Sequence, residues 1–148
     1  MKGQSLFEVI MAVGISAMIL TAIVSLSTLS VANSERSSNS KLSVFYTQEA
    51  LSFIRLTRDS DWATFAAYAS TSSGSDYCMK TPTFSVPGVS GCQFISGTNL
   101  VRTANLTKNA LATYVNVTVN ITWQDGSGTH QEKTVTRLSN WNVSQFLP

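Results

Sequence analysis

The chain of 148 residues has room for one ordinary domain, with charged residues at only 12 % and a formal net charge of +2. So small and scattered a positive charge gives no direct nucleic-acid signal. A composition rich in Ser, Thr and Asn suits an extracytoplasmic surface better than a cytosolic one.

The N-terminus reads MKGQSLFEVIMAVGISAMILTAIVSLSTLSVANS, and none of the 26 residues from Val9 to Ser34 is charged. As a helix rising about 1.5 Å per residue this run extends roughly 39 Å, more than the roughly 30 Å hydrocarbon core of a bilayer. Glu8 stands immediately before it, where a carboxylate costs free energy if it enters lipid. A cleaved secretory signal, releasing a soluble domain after Ala32, has a shorter apolar core than this and no role for Glu8. A plain single-pass anchor, carrying an extracellular binding module, fits the length and also leaves Glu8 without a role.

A third reading uses every feature. The segment KGQSLFEV resembles the processing motif of type IV prepilins: a short basic leader ending in glycine, a cut, then glutamate as the fifth mature residue before a long apolar helix. SLFEVIMAV is also similar to the LxEVLVAL variant of minor pilins and pseudopilins of the V and I classes. The family usually carries phenylalanine at the first mature position, where this chain has Gln4, and the leader here is only Met1-Lys2-Gly3.

The resemblance, which covers residues 2 to about 30, implies a pilin-like subunit that is a peptidase substrate and not an enzyme. Gly3 would end the leader, and Gln4 would become the N-methylated mature terminus. Glu8 would align subunits by pairing with the α-amino group of a neighbour. A paired buried carboxylate is roughly neutral in energy, whereas an unpaired one is strongly unfavourable. The implied partners are a prepilin peptidase, other pilin or pseudopilin subunits and an inner-membrane assembly platform. The implied location is the cytoplasmic (inner) membrane with the head outside, then a pilus or secretion pseudopilus. Residues 1–3 would be leader, 4–31 the transmembrane and polymerisation helix, and 32–148 an amphipathic helix with a globular head.

Beyond the apolar run, Leu42, Phe45, Tyr46, Ala50, Phe53 and Ile54 recur at steps of three and four, which predicts one buried helix face. Neither glycine nor proline occurs between Ile15 and Leu56, so a single helix from about Ser5 to Arg58 is allowed, with fraying expected at Ser37-Ser38-Asn39-Ser40. Asp59 or Ser60 is then expected to cap a short second helix carrying Trp62, Phe65, Ala66 and Ala69 inward. No third acidic ligand follows at calcium-loop spacing.

From Ala69 to Gly91 the chain reads as a loop. Cys78 and Cys92, flanking Pro82, Pro87, Gly88 and Gly91, read as a disulfide in an oxidising compartment, with two separate buried thiols as the alternative. A metal site would need two further ligands, and the sole histidine, His130, is distant. No metal or cofactor is expected.

QFISGTNLVRTANLTKN offers short strands about a turn at Ser96–Asn99. In TYVNVTVNITWQ, Val115, Val117, Val119, Ile121 and Trp123 alternate with polar residues, the signature of a half-buried strand. Asp125-Gly126-Ser127-Gly128 reads as a hairpin turn, with THQEKTVTRLSNW returning as its partner. The expected fold is α+β: a long N-terminal helix, membrane-spanning in its first half, packed in its second against a small antiparallel β-sheet head.

Four Asn-x-Ser/Thr sequons, at Asn105, Asn116, Asn120 and Asn142, fit alternating polar strand positions better than glycan sites. His130 reads as a solvated hairpin residue, and Tyr68, Tyr77, Trp123 and Trp141 as packing aromatics and not a stacking platform. No phosphate loop, HExxH or GxSxG motif is present.

Overall fold

The computed structural model describes residues 4–88 and 91–140, with side chains from Leu6 onward. Helix α1, Gln4–Ser60, is 57 residues long and passes without interruption through Ser37–Ser40. The chain nevertheless divides into two compact units directly after Ser38, inside that serine-rich stretch.

The described residues of the first unit are helix alone, and their large apolar side chains from Leu6 to Val31 are all exposed. In the second unit the remainder of α1 lies on one face of a four-stranded sheet of order β1-β2-β3-β4. The strands are β1 (Ser75–Cys78), β2 (Leu100–Lys108), β3 (Tyr114–Asp125) and β4 (Gly128–Ser139), each antiparallel to the next. The architecture is α+β, one long apolar N-terminal helix with a small antiparallel sheet.

Strand β3 buries Val115, Val117, Val119, Ile121 and Trp123 on its inner face, as the alternation requires. Each fully buried valine or isoleucine contributes about 1.5–3 kcal/mol. One cluster joins Val115, Val117 and Val119 of β3 and Ala104 and Leu106 of β2 to Ala50, Leu51 and Ile54 of α1 and Phe65 of the short helix α2 (Trp62–Ala67). A second gathers Ile95, Leu100, Ile121 and Trp123 against Tyr46.

The inner face of α1 differs from the predicted one. The buried residues are Ser43, Thr47, Ala50, Leu51 and Ile54, whereas Phe45 is 62 % exposed and Leu42 is exposed as well. Ser43, Thr47 and Ala50 are small residues at steps of four and three along that face, and the larger Tyr46 and Phe53 are partly buried on one side of it.

Strand β1 lies within the segment read from sequence as loop. It pairs Ser75–Cys78 with Leu106–Thr103, and Gly74 leads into it at φ +83°. A side chain at Gly74 would press on Asn105 and Thr107, so this left-handed position combines backbone and steric reasons for glycine. The N-cap of α2 is Asp61, not Asp59 or Ser60: its Oδ1 accepts from Ala63 N at 3.0 Å and its Oδ2 from Thr64 N at 3.1 Å. Asp59 instead pairs with Arg58 at 2.7 Å.

Candidate functional site

The first unit holds the residues the sequence singles out. Gly3, with Met1 and Lys2, lies outside the described residues, and Gln4 is the first residue of α1. Glu8 is exposed in the second helical turn, flanked by exposed Phe7 and Val9. Among the described residues no Lys or Arg forms an ion pair with it.

Helix α1 is long and apolar enough to cross a membrane, with mean hydropathy 2.5 in its apolar window and none of that window buried. Four of its hydroxyl groups are bonded within the helix. Ser16 Oγ donates to Ala12 O at 2.8 Å, and Thr21 Oγ1 to Met18 O at 2.9 Å. Ser25 Oγ donates to Thr21 O and Thr28 Oγ1 to Ser25 O, both at 2.9 Å. Hydroxyls bonded back to the preceding turn present little unsatisfied polarity to hydrocarbon.

In the second unit, Cys78 and Cys92 form a disulfide with a Cα–Cα distance of 5.2 Å, within the usual range for such bonds. It ties the end of β1 to the segment before Ile95. Immediately beyond it, Met79 N donates to Arg102 O at 2.9 Å, and Arg102 Nε returns a bond to Met79 O at 2.8 Å.

Arg102 is the residue that sequence reasoning missed. It occupies an inward position of β2 between Leu100 and Ala104 and is 1 % exposed. Its Nη1 donates to Tyr46 O at 2.7 Å and to Glu49 Oε2 at 2.6 Å, and its Cζ sits 5.7 Å from the Tyr46 ring centroid. The available signal was the alternation Leu100, Arg102, Ala104, Leu106, which puts a cation on an otherwise apolar face.

On β4, opposite Trp123, His130 is not a solvated residue. Its ring stacks on Trp123 with centroids 5.5 Å apart, and its Nε2 lies 2.9 Å from Asp125 Oδ2 and 3.1 Å from Ser127 Oγ. Ser127 Oγ donates its proton to Asp125 Oδ1 at 2.6 Å. Serine, histidine and aspartate therefore meet, but both contacts fall on the same ring nitrogen. A nucleophilic triad needs the two ring nitrogens in separate roles, so this trio is a clamp on the hairpin turn. The hydroxyl of Ser127, followed by His130 and the Ser127 N–H, lowers the Asp125 pKa to about 2.

Among the described residues no group of three or more His, Cys, Asp or Glu is placed to hold a metal ion. Asn105, Asn116 and Asn120 all lie on the outward face of the sheet, since a sequon's first and third residues share a face of a strand. Asn142 and Trp141 lie outside the described residues. No known protein family, curated protein or solved structure matches the chain.

Proposed function

We propose that this chain is a structural minor pilin or pseudopilin subunit. It enters the cytoplasmic membrane through α1, is cut after Gly3 by a prepilin peptidase, and assembles through its N-terminal helix into a type IV pilus or secretion pseudopilus. The observation that carries the reading is a lone carboxylate, Glu8, without an ion-pair partner among the described residues, at the entrance of a fully exposed apolar helix. An exposed apolar cylinder must be covered by lipid or by other helices. The unpaired Glu8 then takes the new amino terminus of a neighbouring subunit as its counter-ion, which also fixes the axial register between them. No catalytic role is assigned to the chain.

Mass spectrometry of the mature N-terminus after coexpression with a prepilin peptidase tests this. The expected product lacks Met1-Lys2-Gly3 and begins at N-methylated Gln4. An intact N-terminus would favour the anchored binding module, and a terminus following Ala32 would favour a secreted domain. Either result would overturn the proposal.

A further inference from the structure

Strand β4 lies at one edge of the sheet and pairs only with β3 among the described residues. Its register runs unbroken from Asp125↔Gly128 to Tyr114↔Ser139, and it contains neither proline nor bulge. In an antiparallel ladder the residue pairs alternate between exchanging backbone hydrogen bonds and facing away. The bond from Asn140 N to Thr113 O at 3.2 Å fixes the phase. By that alternation Gln131, Lys133, Val135 and Arg137 direct their N–H and C=O groups to the free side of β4.

The side chains of these same residues share the outer face and are exposed, Val135 at 62 %. Lys133 and Arg137 flank Val135, two residues to either side. Neither cation has an ion-pair partner among the described residues. The β3 residues opposite them are the uncharged Asn120 and Asn116. Arg137 is held in place, with its Nε 3.0 Å from Asn116 Oδ1 and its Cζ 4.3 Å from the Tyr114 ring centroid. The edge therefore combines free backbone groups with a cation–apolar–cation row in which Arg137 is held in place.

We infer that β4 takes an extended acidic segment of a partner protein as a fifth strand. Main-chain bonds to residues 131–137 supply the attachment, and side chains opposite the row supply selectivity. A β-branched apolar residue lies beside Val135, and carboxylates two positions to either side face Lys133 and Arg137. That pattern reads the same in both directions, so it sets no strand polarity. The chain has no two acidic residues four apart, so a second copy cannot supply the segment.

The test uses the full chain in detergent micelles and a fluorescent, end-blocked peptide Thr-Glu-Thr-Val-Thr-Glu-Thr, read by anisotropy and amide hydrogen exchange. Saturable binding that weakens with added salt is expected, with new protection at 131, 133, 135 and 137. The same peptide with lysine for glutamate should bind about tenfold more weakly, and the double change Lys133→Glu, Arg137→Glu should invert that preference. Val135→Pro removes an outward N–H while leaving the β3 ladder intact, and should abolish binding where Val135→Thr retains it. Equal binding of the two peptides, or no saturable binding of the acidic one, would overturn the inference. So would self-association of a Lys133→Thr chain without peptide binding, since Lys133 would then be a guard against edge pairing.

Discussion

The guanidinium of Arg102 donates to the carboxylate of Glu49 across 2.6 Å, from a side chain that is fully buried to one that is 38 % exposed. The pair joins strand β2 to helix α1, and through Met79 the same arginine reaches the residue next to the disulfide. The two partners contribute unequally. Arg102→Met strands the Met79 carbonyl without its side-chain donor and should cost about 2 kcal/mol. Glu49→Gln keeps an acceptor at a position that solvent screens, and should cost about 1 kcal/mol or less. Denaturant unfolding of the purified full chain, followed by tryptophan fluorescence, measures both. Equal losses would show that the ion pair, and not the buried carbonyl network, carries the stability.

Acid should loosen the hairpin in a defined window. Folding holds Asp125 at about 2 against an ordinary value of 3.8. The unfolded chain therefore binds the proton first as pH falls. The stabilisation is complete above about pH 4 and is lost as pH drops towards 2. Near-ultraviolet circular dichroism from Trp123 should follow this loss, and Asp125→Asn should remove that step. Asp61, held below its ordinary value by the Thr64 hydroxyl and then by the Thr64 and Ala63 N–H groups, adds a loss of the same sign at the start of α2.

Reducing the Cys78–Cys92 bond should lower stability by about 3 kcal/mol, the entropy that a loop of this length loses when closed in the unfolded chain. Nonreducing mass analysis of exported protein establishes the bond. Unfolding midpoints of the chain and of a Cys78→Ser, Cys92→Ser variant give the energy. Identical midpoints would show that the surrounding strand pairing holds the loop unaided.

Glu8→Val should give a chain that is processed, membrane-resident and unassembled. Removing the charge eases insertion by up to about 3 kcal/mol, less near the interface, and the proposed cleavage site is untouched. Incorporation into filaments should fail, because the incoming amino terminus has no counter-charge. Glu8→Asp, one methylene shorter, should assemble partially. Filament shearing with immunodetection separates these outcomes. Normal incorporation of Glu8→Val would remove the alignment role.

Much of the fold is written in local pattern. The period-two alternation of Val115 to Trp123 places β3 and names its inner face, and Asp125-Gly126-Ser127-Gly128 marks the turn that follows. What was not legible depends on contacts distant in sequence. Strand β1, SDYC, lacks apolar alternation and exists because Thr103–Leu106 offers it a partner. Ser43 and Thr47 are buried and Phe45 is exposed, whereas hydrophobicity alone had placed Phe45 inside. Arg102 is tolerated in the core only because acceptors from α1 and from Met79 converge on it. In the candidate site, the position of Glu8 before an uncharged run was plain from sequence, and its exposure among apolar neighbours was not.

The back-bonded hydroxyls of Ser16, Thr21, Ser25 and Thr28 bear on timing. A helix that carried free hydroxyls into hydrocarbon would seek donors and acceptors on whichever helix it met first. Here four of those groups are already engaged within their own turns, which leaves fewer hydroxyls to draw a solitary helix in lipid towards another. Under the proposed function, single chains could therefore persist in the bilayer as a reservoir. Under that same proposal, recruitment from the reservoir would depend on Glu8 meeting a freed amino terminus, and peptidase cleavage would be its trigger.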